Sequence, residues 1–379
     1  MKALGIILAG GNSSRMQNLS EKRAISAMSV ACSYRCIDFV LSNMTNSNIQ
    51  TVAVLSQYNA RSLNEHLNSS KWWNFGRKQG GLFLFTPTVT SDNSWWYRGT
   101  ADAMWQNIDF LKKRHEPYVV IASGDCVSKM DFNKILEYHI AKQSDITVVC
   151  AKLPEWEDPK RFGVVKMDME GKIIEFEEKP MVAGSDIVST GVYVIRRRTL
   201  IELLEQSNEE GRYNFVTDVL IRQKGLKRIY GYMLDGYWSN IASVDSYYRT
   251  NMDFLKKDIR DYFFKQEPAV KTKIDDLPPA KYNPGADVKN SLISSGCIIN
   301  STVENSILFK KVFVGNNSVI KNSIIMNGAY IGDNVYIENC IVESSETLLS
   351  GSKYIGEDEI KIVSEKKKRY EVHQINGEG

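Results

Sequence analysis

The sequence predicts a two-domain α/β chain: a mostly parallel sheet covered by helices, then a parallel β-helix. Three observations carry this. Up to about residue 255, short apolar runs alternate with segments of helical spacing, the pattern of strand–helix–strand units. A proline-rich break follows between Asp275 and Gly285, with Pro278, Pro279 and Pro284. Beyond it Cys297, Val303, Phe309, Val314, Ile320, Met326, Ile331 and Ile337 recur at steps of six, occasionally five, with Gly, Asn and Ser between them. That beat places one aliphatic per side of a triangular coil, so the core becomes a stack of aliphatics. The expected boundaries are 1–255 for the first domain, 256–285 for a linker, 286–365 for the β-helix and 366–379 for a polar tail.

Taken in order, Lys2–Ala9 is an apolar strand that runs straight into Gly10-Gly11-Asn12-Ser13-Ser14-Arg15. Glycines there let backbone N–H groups approach an anion, and an arginine adds fixed positive charge. A tight β–α connection is the plainer reading of the same turn. Thr51–Leu55 is β-rich and ends at Gln57-Tyr58. Ala101 to Arg114 has helical spacing. Tyr118–Ala122 is a third apolar run, stopped by Ser123-Gly124-Asp125. Phe132 to Lys142 again reads as helix, and Asp145–Cys150 as a fourth strand. In such sheets ligands sit at the carboxyl ends of the strands, where the loops at Gly10–Arg15, Gln57-Tyr58 and Ser123–Asp125 all fall.

The bulk numbers set limits. At 379 residues, two domains are the default. Hydrophobic residues make up 43% and charged residues 25%, with a net charge of +3, which favours neither a nucleic-acid nor a membrane role. No apolar run approaches the ~18 residues of a membrane span, and the first residues read as a core strand, not a signal peptide. The basic cluster Lys366-Lys367-Lys368-Arg369 reads as part of a solvated tail. The six cysteines and four histidines are scattered without metal-ligand spacing, so the cysteines are expected as reduced thiols in a cytoplasmic protein.

Four further segments can carry chemistry, each with a plainer alternative. Gly99, Thr100 and Ala101 would let a planar base lie against backbone; Thr100 would equally serve as a helix N-cap. Asp125, at the end of a buried strand beside a phosphate turn, is placed to hold Mg²⁺, or is a β-turn aspartate. Glu178-Lys179-Pro180, with Ser189 to Tyr193 after it, offers acid and base for a sugar phosphate, or is a charged surface turn. Tyr237 to Ser243, containing Trp238, is a further loop of this kind, or a simple strand-to-helix turn.

In this order the segments resemble the ADP-glucose pyrophosphorylases (glucose-1-phosphate adenylyltransferases) of bacterial glycogen synthesis. Arg35 to Ser47 looks like that family's Y-R-x-I-D-F-x-L-S-N-x-x-N-S segment, and Tyr97 to Ala103, Ser123–Asp125 and Glu178–Pro180 match as well. The resemblance spans almost the whole chain. It implies a Rossmann-like nucleotidyltransferase domain followed by a left-handed hexapeptide-repeat β-helix. It implies a reaction in which a glucose-1-phosphate oxygen attacks the α-phosphorus of ATP and pyrophosphate leaves, driven by positioning and charge neutralisation. By that resemblance Gly10, Gly11 and Arg15 would meet nucleotide phosphates. Gln57, Gly99 and Thr100 would border the adenine, Asp125 would hold Mg²⁺, and Glu178, Lys179, Ser189 and Trp238 would line the sugar-phosphate site.

The departures from the family pattern concern charge. Ser13 stands for the third glycine of G-G-x-G-x-R. Ile25 stands for the lysine of R-A-K-P-A. Asn240 stands for the aspartate of W-x-D-V-G-T, and the sugar-site H-D-F-G reads Tyr213-Asn214-Phe215-Val216. This pattern resembles the GlgD-type subunit, weakly active or inactive alone, that works in a hetero-oligomer, by family expectation a tetramer, with a catalytic partner. ATP, glucose-1-phosphate or a sugar-phosphate effector are its expected small-molecule partners. The rival readings are a self-sufficient adenylyltransferase, a hexapeptide acyltransferase and a scaffold. The coils from Cys297 to Val342 contain no histidine to serve an acyltransferase as base.

Overall fold

The structure is a computed structural model that describes residues 2–11, 13–76, 80–88 and 96–364. Asn12 of the glycine turn, His373 and the tail 366–379 with its basic cluster lie outside the described residues. The chain forms two compact units, Met1–Asp276 and Leu277–Gly379.

The first unit opens with β1 (Ala3–Leu8), a small hairpin of β2 (Ser29–Val30) and β3 (Tyr34–Arg35), and α1 (Cys36–Asn46). It continues through β4 (Thr51–Leu55), α2 (Arg61–Leu67), β5 (Gly81–Phe85), α3 (Thr100–Trp105), α4 (Ile108–Lys112), β6 (Tyr118–Ser123), β7 (Cys126–Ser128) and α5 (Phe132–Ala141). Next come β8 (Ile146–Lys152), β9 (Gly163–Met167), β10 (Ile173–Glu178), β11 (Ile187–Arg196), α6 (Arg197–Glu209), the short α7 (Ile221–Gln223), β12 (Ile229–Met233), β13 (Trp238–Asn240), α8 (Val244–Asp253) and α9 (Lys257–Phe264).

The main sheet runs β5-β4-β1-β6-β11-β8-β12. β5, β4, β1 and β6 are mutually parallel, while β11 is antiparallel to both β6 and β8. The β9–β10 hairpin joins β11 through Val188 and Val164. Side chains alternate as a two-sided sheet requires: on β6, Val119 and Ile121 pack into one helix-covered core, Val120 and Ala122 into the other. The chain leaves β1 toward β4 on one side and returns to β6 on the other. The strand order therefore reverses at β1, and a crevice opens beyond its carboxyl end.

Two sequence expectations need correction. The single helix expected from Ala101 to Arg114 is two, because Asn107 leaves the helical conformation between them. The stretch expected as linker begins as α9, which buries Phe263 against Phe39 and Phe254. Phe263 gives the helix a buried anchor, and its neighbours Tyr262 and Phe264 pack against that ring.

In the second unit three parallel five-stranded sheets form the sides of a β-helix. Val303 pairs Ile320, Ile320 pairs Ile337 and Ile337 pairs Tyr354, so the central coils advance 17 residues each, while Val288 pairs Val303 at a step of 15. Two steps of six and one of five make that coil, which is the beat in the sequence. Val303, Ile320 and Ile337 lie buried on the axis with Val314, Ile331 and Leu348. One corner repeats Asn305, Asn322 and Asn339 in the left-handed region, which asparagine tolerates. Beside it a hydroxyl ladder climbs the coils: Ser291 Oγ accepts from Ser306 N, Ser306 Oγ from Ser323 N, and Ser323 Oγ from Cys340 N, each at 3.1 Å.

No helix among the described residues is long and apolar enough to cross a membrane. All six cysteines are free.

His139 of α5 is buried, with Nδ1 2.8 Å from Thr147 Oγ1 and its ring edge on Tyr118. Burial, helped by Arg196, holds its pKa at about 4, below the ordinary 6.5. The unfolded chain therefore takes the proton first as pH falls. The stability tied to a neutral His139 is complete above about pH 6.5 and is lost as pH falls toward 4, by about 2.5 kcal/mol at pH 4.5. Denaturant unfolding at pH 7 and 4.5 is expected to show that loss, and His139→Gln is expected to lose markedly less between the two pH values.

Candidate functional site

The register of the sheet brings the predicted loops together. Leu8 lies beside Leu55 on one side and beside Ser123 on the other. The residues that follow are tied in the same way: Ala9 N donates to Leu55 O at 2.8 Å, and Gly124 N to Leu8 O at 2.9 Å. Gly10, Gln57 and Asp125 thus emerge along one edge of the sheet.

Gly10, Gly11, Gln57, Tyr58 and the turn Tyr97–Thr100 line a cleft of about 240 Å³. Of the six residues expected at a nucleotide base or phosphate, Gly10, Gly11, Gln57, Gly99 and Thr100 line it and Arg15 does not. Their roles within the fold differ. Gln57 Oε1 accepts from Tyr97 N at 2.6 Å and so braces the opposite wall. Arg98 is engaged on two sides: its Nη2 pairs Asp102 Oδ1 at 2.6 Å, its Nη1 donates to Tyr213 OH at 2.8 Å, and its guanidinium lies 3.8 Å over the Tyr213 ring. Buried Asp102 also accepts from Arg98 N and Gln106 Nε2.

Thr100 does not cap the helix as its side chain allowed. Gly99 stands at the N-cap without a side-chain bond, and Thr100 Oγ1 accepts from Phe215 N at 2.9 Å instead. Gly99 has a reason the sequence did not reveal. A Cβ there would lie 2.7 Å from the carbonyl carbon of Tyr213 and closer still to its oxygen. That oxygen accepts from Ala101 N and Asp102 N. The Tyr213 loop, expected at the sugar phosphate, therefore also braces the nucleotide turn.

The residues expected to carry charge gather at the end of β1 and β6. Arg15 is exposed and makes no hydrogen bond or ion pair among the described residues, so its guanidinium is available to an anion. Ser13 Oγ donates to Ala242 O at 2.7 Å. Asp125 Oδ1 accepts from Ser123 Oγ at 2.5 Å and from Cys126 Sγ at 3.5 Å. Asn240 pairs with Cys126 across the β7–β13 ladder, and Ile241 N donates to Asp125 O. The amide and the carboxylate therefore both reach Cys126 Sγ, from opposite sides of the ladder. The two ends of the amide are both engaged: Oδ1 accepts from Ala242 N at 3.0 Å, and Nδ2 donates to Cys126 Sγ at 3.6 Å. Cys126 is a buried thiol whose pKa is pushed well up by desolvation and by Asp125. It went unnoticed in the sequence, although its place directly after Asp125 on a short strand was the available signal. Ile25 is 4% exposed, in a tight turn whose next residue, Ser26, abuts Gly124.

Of the residues expected at a sugar phosphate, Glu178, Lys179 and Trp238 lie around Phe162 and its neighbour Gly163. Glu178 pairs with Gly163, Lys179 N donates to Phe162 O at 3.0 Å, and the Trp238 ring meets Phe162 edge-on at 5.5 Å. Burial raises the Glu178 pKa, partly offset by Lys179, whose Nζ is 3.5 Å away. Lys179 itself holds a left-handed φ of 47°, a strained conformation of the kind found at ligand sites. Ser189 Oγ bonds Tyr193 OH at 3.1 Å and accepts from Gly191 N. A Cβ on Gly191 would lie 3.0 Å from Ser123, so this strand borders the Asp125 side as well.

Comparison with known proteins follows the same division of the chain. Residues 4–257 match the family described as Nucleotidyl transferase, and residues 278–375 match the GlmU-like, C-terminal hexapeptide family. The chain is 37% identical over 319 residues to a glucose-1-phosphate adenylyltransferase of Geobacillus stearothermophilus, covering 83% of this chain and 82% of the relative. It is 38% identical over 320 residues to one of Pseudothermotoga lettingae, covering 83% and 76%. It is 34% identical over 321 residues to one of Bacillus subtilis, covering 83% and 84%.

Proposed function

The chain belongs to the glucose-1-phosphate adenylyltransferase family of nucleotidyl transferases, and from that premise we propose that it is a regulatory subunit, weakly active or inactive by itself. It acts in a hetero-oligomer, a tetramer in our reading, with a catalytic subunit that makes ADP-glucose from ATP and glucose-1-phosphate for glycogen synthesis. The observation that carries this is a neutral Asn240, paired with Cys126, the residue after Asp125; the side-chain carbonyl oxygen of Asn240 is already hydrogen-bonded to Ala242 N.

In the family reaction no bond forms to the protein. The chain must bind two anionic substrates, align the sugar phosphate with the α-phosphorus, and neutralise the charge that builds on the leaving pyrophosphate. In this chain the glycine turn and Arg15 serve the triphosphate, and Glu178, Lys179, Ser189 and Trp238 the sugar phosphate. Mg²⁺, when bound, offsets phosphate charge. Asp125 keeps Oδ2 without a partner among the described residues, so it fits a site completed by phosphate oxygens and water. A second anionic ligand is not offered by Asn240, and no cation is offered by Ile25. The chain retains the means to hold ligands better than the means to displace pyrophosphate.

Co-expression with the catalytic subunit of the same genome tests the reading. Co-purification with altered kinetics of ADP-glucose formation is expected. Failure of the two chains to associate, or association without any kinetic change, would count against it.

A further inference from the structure

We propose that Ser13 is a positioning residue: its hydroxyl latches the turn after β1 to the turn after β13 and so sets how tightly a nucleoside triphosphate is held. The ligand class rests on the proposed function; the latch itself rests on geometry.

Ser13 is in extended backbone, φ −137° and ψ 119°, so nothing in its conformation demands glycine. It precedes the short helix Ser14–Ser20, where a serine side chain ordinarily accepts from a helix N–H. It makes no such bond. The hydroxyl turns the other way and donates to Ala242 O at 2.7 Å, joining segments 229 residues apart. The receiving turn is rigid on its own account. Ala242 N is held by Asn240 Oδ1 at 3.0 Å, Asn240 Nδ2 reaches Cys126 Sγ at 3.6 Å, and Ile241 N bonds Asp125 O at 3.0 Å. Ser13 thereby fastens the phosphate turn, two residues before Arg15, to the structure that carries Asp125.

Two departures from the family pattern gain one explanation. An amide at 240 keeps the acceptor for Ala242 N and adds a donor toward Cys126, which a carboxylate lacks. A hydroxyl at 13 uses the carbonyl that this arrangement presents. A single neutral hydrogen bond of this kind contributes about 1 kcal/mol, roughly a five-fold change in a loop-opening equilibrium. A turn already held in place binds its ligand without first being ordered.

Amide hydrogen exchange of the full chain is measured alongside calorimetric binding of ATP with Mg²⁺, for Ser13→Ala, Ser13→Gly and Ser13→Thr. Loss of the hydroxyl is expected to speed exchange about five-fold at residues 13–16 and 241–243 together, and to weaken ATP binding about five-fold. Threonine, which keeps the hydroxyl, is expected to restore both. The proposal is overturned if Ser13→Ala leaves exchange at 241–243 unchanged. It is equally overturned if exchange rises while ATP affinity does not move, or if threonine behaves as alanine does. An unaltered chain that binds no ATP would speak against the functional reading, while exchange alone would still decide the latch.

Discussion

Asn240→Asp combined with Ile25→Lys is expected to raise ADP-glucose formation by the isolated chain about a hundred-fold. Aspartate at 240 keeps the acceptor for Ala242 N and gives up only the long donation to Cys126 Sγ. It sets a second carboxylate beside Asp125, where phosphate-bound Mg²⁺ can use both. Lysine at 25 must lift its ammonium from a position that is 4% exposed. Its four-carbon stem allows this, with the apolar part staying where the isoleucine lay. A hundred-fold gain is about 2.7 kcal/mol of transition-state stabilisation, the scale of one well-placed charge or donor. Initial rates at saturating ATP, glucose-1-phosphate and Mg²⁺ measure it. No gain from the double change in a folded protein would place the defect elsewhere, with the Tyr213 loop as the next suspect.

Gly99→Ala is expected to destabilise the first unit by about 3 kcal/mol, whereas Gly11→Ala is expected to change stability by less than about 0.5 kcal/mol. The two glycines look alike in the sequence. A Cβ at Gly99 meets the backbone of Tyr213 and Asn214, and backbone on both sides is pinned by the bonds of Tyr213 O to Ala101 N and Asp102 N. Overpacking against such a fixed neighbour has no inexpensive relaxation. A Cβ at Gly11 meets nothing within 4 Å. Its expected effect is on ligand: the methyl projects into open space beside the turn that serves phosphate, so ATP affinity falls while the melting temperature holds. Thermal unfolding and ATP titration of both variants separate a glycine required by the fold from one required by the ligand.

These contrasts show why some of the site was legible and some was not. Strand ends are set by apolar runs and their punctuation, so β1, β4 and β6 and the loops after them could be placed from local pattern. Once those strands are parallel neighbours, Gly10, Gln57 and Asp125 must fall on one edge. The β-helix was equally legible because its repeat is one-dimensional: a coil of 17 residues writes its period directly into the chain. What did not show was contact between distant segments. Ser13 read as a bulkier glycine until Ala242 appeared opposite it. Thr100 read as a cap until Phe215 N claimed its hydroxyl. Arg98 belongs to the matched segment Tyr97 to Ala103, and nothing local showed that Tyr213 and Asp102 engage it from two sides. The helix α9 was hidden by the prolines that follow it, although Phe263 was available to give it a buried anchor.

The central claim is that this chain holds the ligands of its family but lacks the charge to drive the displacement. It is tested most directly by the initial rate of ADP-glucose formation from ATP and glucose-1-phosphate with Mg²⁺, by the purified chain alone and by the chain co-purified with its catalytic subunit. The account predicts a rate for the chain alone at most about a hundredth of that of the catalytic subunit, and altered kinetics for the pair. Turnover by the lone chain equal to that of the catalytic subunit would contradict it.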